Sequence, residues 1–106
     1  MVTTKVEAGV CGFVTEINAS CEDSQNVQFD MKTDCEKIAA LAKVIPVVDA
    51  YNEIQFGFEG ELYKVIRQHL AGCCSGCAVP VGIFKSMQVA ANLALPRDIH
   101  IAISKE

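Results

Sequence analysis

A change of period, about a third of the way along, constrains this chain more than any other feature of its sequence. Up to that point, polarity alternates every second residue. Val2, Thr4, Val6 and Ala8 fall on one face, with Thr3, Lys5 and Glu7 on the other. A second run sets Cys11, Phe13, Thr15, Ile17 and Ala19 against Gly12, Val14, Glu16 and Asn18; a third sets Val27, Phe29 and Met31 against Gln28, Asp30 and Lys32. Strand side chains point alternately to opposite sides, so each run predicts a strand with one buried and one wet face. Gly9 and the polar stretch Glu22-Asp23-Ser24-Gln25-Asn26 mark the turns between them.

After Thr33 the spacing becomes helical. Thr33-Asp34-Cys35-Glu36 has the form of a capping box, in which the Glu36 amide donates to the Thr33 hydroxyl. Cys35, Ile38, Ala39 and Ala42 then make a stripe, closed by Pro46. A short helix is expected around residues 49–54, then a loop containing Gly57 and Gly60. Leu62, Val65, Ile66, His69 and Leu70 repeat at three and four residues, a strong helix signal. Gly72-Cys73-Cys74-Ser75-Gly76-Cys77 reads as a tight loop, and Pro80 as a first-turn proline of a helix running to about residue 95. Pro96 stops that helix, and Ile99, Ile101 and Ile103 alternate with polar or small residues as a last strand. The predicted order is β-β-β-α-α-α-β. It makes an α+β two-layer sandwich, a mainly antiparallel four-stranded sheet with helices on one face, in one domain spanning residues 1–106.

Composition narrows the functional classes. At 106 residues and 51% hydrophobic, the chain builds a core without covalent staples. The net charge is −4 and the nine basic residues are scattered, which argues against a nucleic-acid surface. The most apolar stretch, residues 79–95, carries Lys85, Gln88 and Asn92, so it fits a buried helix better than a membrane span. The first residues hold no apolar run of the signal-peptide kind, so the expected location is the cytoplasm. Thiols stay reduced there, and cysteines read as metal-binding or catalytic before they read as disulfides.

The six cysteines are the residues with chemistry to offer. Cys74-Ser75-Gly76-Cys77 has the two-residue spacing that aims two sulfurs at one ion. Two further ligands would have to come from distant segments. Cys35 falls at a helix start, where amides and the helix dipole favour a thiolate, and Cys77 precedes the Pro80 helix with the same advantage. Cys11 falls on the core side of its strand, beside Gly12. Cys11, Cys35, Cys74 and Cys77 are therefore the expected four-thiolate site, with Cys73 and His69 as alternative ligands. Sulfur softness and tetrahedral geometry suit zinc or a [4Fe–4S] cluster equally.

Each of these residues also has a plainer reading. A free cysteine packs as a small hydrophobe, which suits Cys11, Cys21 and Cys35 taken singly. His69 reads as a helix-end histidine and His100 as a solvated one. Cys74 and Cys77 could instead form a redox dithiol, although that motif normally follows a strand rather than a helix. The chain could also be an oligomerising or interaction module whose cysteines are structural. Whether it is an enzyme, its protein partner and its oligomeric state stay open. There is no phosphate loop, nucleotide fingerprint or Ser–His–Asp pattern.

Val10-Cys11-Gly12-Phe13, Cys77-Ala78-Val79-Pro80 and Leu93-Ala94-Leu95-Pro96 together resemble a family of small uncharacterised cysteine-containing proteins from anaerobic prokaryotes, over nearly the whole chain. The resemblance implies an anaerobe's cytoplasm, where an iron–sulfur cluster is at home. It brings no activity and no catalytic residues.

Overall fold

The computed structural model describes residues 1–106. Three strands form an antiparallel meander: β1 (Val2–Glu7), β2 (Val14–Cys21) and β3 (Asn26–Thr33). A two-residue strand, β4 (Val48–Asp49), pairs antiparallel with the start of β3 through Asn26↔Asp49 and Val27↔Val48. The sheet order is β1-β2-β3-β4. Four helices complete the chain: α1 (Glu36–Val44), α2 (Ala50–Phe56), α3 (Glu61–His69) and α4 (Val79–Ala90).

Period two does what the pattern requires. Thr15, Ile17 and Ala19 of β2 are buried together with Val27 of β3, and the helices cover that face. Glu16, Asn18, Gln28, Asp30 and Lys32 take the other face, toward water. Ile38 and Leu41 of α1, Leu62 and Ile66 of α3, and Val79, Ile83 and Met87 of α4 meet the sheet in one core. The fold is the expected α+β type, an open antiparallel four-stranded sheet with a helical layer.

The element order differs from the expected one. The fourth strand is Val48–Asp49, not the segment around Ile99–Ile103, so β4 falls between α1 and α2. Two residues are too few to carry a period, and β4 exists only because β3 offers it an edge. The chain after α4 takes no regular structure. α4 itself stops at Ala90 rather than near residue 95. Asn92 turns left-handed (φ 64°), and the Leu93 and Asn92 amides donate back to the carbonyls of Gln88 (2.8 Å) and Val89 (3.1 Å). This is the Schellman ending, with asparagine where glycine more often sits.

Two packing details fix where the helices stand. A Cβ on Gly82 would lie 2.7 Å from Val6 Cγ2 and 3.3 Å from Ile17 Cδ1, so glycine is what lets α4 press onto β1 and β2. One turn on, the buried Ser86 hydroxyl lies 2.6 Å from both the Thr4 hydroxyl and the Gly82 carbonyl. In the second detail, the buried Glu53 of α2 accepts from the Leu62 amide (2.6 Å) and so caps α3 from another helix. Gly60 leaves room for it, since a Cβ there would come within 2.8 Å of Glu53 Oε1.

Candidate functional site

Register shows which segments share an end of the sheet. Glu7 pairs with Val14 and Thr15 with Thr33, so the β1–β2 turn and the exit of β3 lie together. Cys11 is in that turn, and Cys35 is two residues beyond β3. α4 lies with Ser86 against Thr4 and Gly82 against Val6, so its axis runs back toward Glu7 as it approaches its own start. Cys77, two residues before Val79, therefore reaches the same end. Cys74 is tied to Cys77 by a bond from the Cys77 amide to the Cys74 carbonyl (3.1 Å). All four expected ligands thus come from three separate segments to one end of the sheet.

Their local settings differ from the expected ones. Cys11 is not on the core face of a strand. Gly9 and Gly12 take φ of 82° and 75°, the Gly12 amide closes on the Gly9 carbonyl (2.9 Å), and residues Gly9–Cys11 form an exposed 3₁₀ turn. β2 begins only at Val14. Cys35 is itself the N-cap of α1, the position the capping-box pattern assigned to Thr33. The capping box does not close, because the Thr33 hydroxyl takes the Cys35 amide (3.1 Å) and faces Thr15 across the sheet (2.9 Å). Cys74 lies in the 3₁₀ turn Gly72–Gly76, half-buried, and with Cys35 and Cys77 it packs against the core.

The electrostatics of Cys77 run opposite to the sequence expectation. A helix start alone would lower its pKa, yet the pKa is raised. Burial is the largest cause; the amide of Val79, donating to the sulfur at 3.4 Å, only partly offsets it. Charge on Cys11, Cys35 and Cys74 pushes in the same direction as burial. The four thiols are thus electrostatic neighbours. All six cysteines are free thiols, and no three His, Cys, Asp or Glu side chains already stand in an arrangement that could hold a metal ion.

The remaining candidates separate cleanly. Cys73 points to solvent beside Cys74. The His69 ring is engaged with the carbonyl of Val65, one turn back on α3, through Nδ1 (3.0 Å), a helix-end role. Cys21 lies at the opposite end of the sheet, within 3.6 Å of an Asp23 carboxylate oxygen. The buried Glu53 escaped the sequence reading, since nothing in the spacing from 53 to 62 announces a cap between two helices.

No helix is long and apolar enough to cross a membrane. The chain belongs to a family of unknown function, DUF6951, which matches residues 2–103. No curated protein and no solved structure matches it.

Proposed function

We propose that the chain is a metal-binding protein, with Cys11, Cys35, Cys74 and Cys77 closing around zinc or a [4Fe–4S] cluster. The observation that carries this reading is the convergence of three cysteine-bearing segments on one end of the sheet. Two further features support it. The N-termini of α1 and α4 both open at that end, where their dipoles offset the negative charge of a four-thiolate group. The Val79 amide already donates to the Cys77 sulfur, as amides do around thiolate ligands.

Binding would draw the four sulfurs inward. Cys35, Cys74 and Cys77 are seated against the core, so the exposed Cys11 turn is the part that travels. With four protein ligands, zinc would be structural, while a cluster would serve electron transfer or sensing. The redox-dithiol alternative is weaker, since Cys74 and Cys77 follow helix α3, whereas that motif normally follows a strand. We place the protein in the cytoplasm of an anaerobe, as one domain, on the sequence resemblance and on the thiol chemistry.

The test is anaerobic purification followed by zinc, iron and sulfide analysis and a visible spectrum. Serine at any of the four positions should lower the metal content, whereas Cys21→Ser and Cys73→Ser should leave it unchanged. Protein that takes up neither zinc nor a cluster under anaerobic reconstitution would overturn the proposal.

A further inference from the structure

We propose that residues 98–104 form a strand exchanged between two copies of this chain, each adding to the free edge of the other's β1. β1 ends the sheet, and its outer edge has no partner strand. Such an edge presents a row of unpaired amides and carbonyls, a template for another strand. The same chain holds a strand that its fold does not use. Ile99, Ile101 and Ile103 alternate with His100, Ala102 and Ser104, and past Leu93 the backbone makes no hydrogen bond with any other backbone group.

Edge and segment do not meet within one chain. A cavity of about 720 Å³ separates residues 96–101 from β1 and α4. The isoleucines grow more exposed along the segment, from 52% at Ile99 to 67% at Ile101 and 91% at Ile103. The segment therefore loosens from its own body as it proceeds, and its isoleucines stay largely uncovered. That is the course of a strand bound for another molecule. The slot it leaves offers an apolar bed from Val2, Val6, Val81 and Val89 to an incoming strand. Because edge and segment belong to the same sequence, the exchange is reciprocal. It closes as a two-fold dimer in which neither β1 edge stays open.

The test is the mass of the full chain across a concentration series under reducing conditions, which removes disulfide-linked dimers, together with amide hydrogen exchange. The expected result is a dimer in which residues 98–103 are protected. Ile101→Asp should raise the dimer dissociation constant by at least about thirtyfold, as loss of a central apolar contact does. Because Ile101 is exposed within the single chain, that variant should keep a cooperative unfolding transition; Ile99→Asp serves as the second variant. A monomer with residues 98–103 unprotected overturns the proposal. So does a monomer with them protected, which would make the segment a fifth strand of its own sheet. A dimer indifferent to both variants overturns it as well.

Discussion

The two ends of the sheet are finished by different chemistry. At the end where β2 turns into β3, the chain closes itself with oxygen and nitrogen. Asp23 accepts from the amides of Gln25 (2.9 Å) and Asn26 (2.8 Å) and from the Asn26 side chain (2.8 Å). Asp49 caps α2 through the amides of Tyr51 (2.9 Å) and Asn52 (3.3 Å) and takes the Gln25 side chain at 2.7 Å. Asn92 reaches Ser24 at 3.0 Å and ties the end of α4 to the same turn. At the other end four thiols gather, and the side-chain bonds are fewer: the Thr33 hydroxyl takes the Cys35 amide and faces Thr15, and the Val79 amide donates to Cys77. Carboxylates in water close a turn unaided, because backbone amides are always at hand to pay them in hydrogen bonds. Thiols gain little from amides and much from a soft metal ion. One end is complete by itself, and the other is where we propose the metal site.

The largest effect that would sharpen this contrast is metal-dependent stability. An ion held at about a thousand times its dissociation constant stabilises the fold by about 4 kcal/mol. Thermal unfolding with and without zinc, or before and after cluster reconstitution, should show that gain. Cys77→Ser should abolish it and Cys21→Ser should not, since only the first lies at the open end. If both variants keep the gain, the ion is bound elsewhere and the contrast fails.

A smaller effect follows from α4, the element that spans both ends. Gly82→Val puts a branched side chain where even a Cβ meets Val6 and Ile17, and overpacking of this kind costs about 1–3 kcal/mol. Lifting α4 from β1 also carries Cys77 away from the Cys11 turn. The denaturant midpoint should fall, and metal affinity should fall further than in an equally destabilised variant remote from α4. Equal losses in the two would mean that α4 does not place Cys77.

Much of this was legible in the sequence, for reasons that differ by element. β1, β2, β3 and α3 announced themselves because a single period ran through each and burial enforced it. β4 did not, because Val48 and Asp49 become a strand only by meeting Val27 and Asn26. The segment around Ile99–Ile103 has a strand's pattern, but pattern does not name a partner. The four cysteines were picked out by residue type and spacing, while their settings were not. Gly12 looked like a strand residue beside a ligand, yet its φ of 75° makes it the hinge of a turn. The Cys77 expectation counted the helix start and left out burial, which is the larger cause and is a property of the assembled fold.

The smallest expected effects are in the pH profile, where the two ends should fail in opposite directions. Asp23 is held well below the usual carboxylate range, first by the Asn26 amide, and Asp49 is lowered first by the Gln25 side chain. A carboxylate with a depressed folded pKa contributes stability that is present above its unfolded value of 3.8 and is lost as pH falls toward the folded one. Asp23→Asn should therefore flatten the acid limb below about pH 4. Cys77 and Tyr63 are both raised by burial. Their neutral forms are favoured in the fold, so their contribution is full below the unfolded values of 9.0 and 10.0 and is lost as pH climbs past them. Metal-free protein should lose stability on that alkaline limb, and Cys77→Ala should remove the part that begins near pH 9 while leaving the acid limb untouched. Bound metal holds Cys77 as a thiolate, so the loaded protein should instead weaken as pH falls and protons compete for sulfur. An alkaline limb unchanged by Cys77→Ala, or a loaded protein with the same profile as the metal-free one, would show that this thiol takes no part in what distinguishes the two ends.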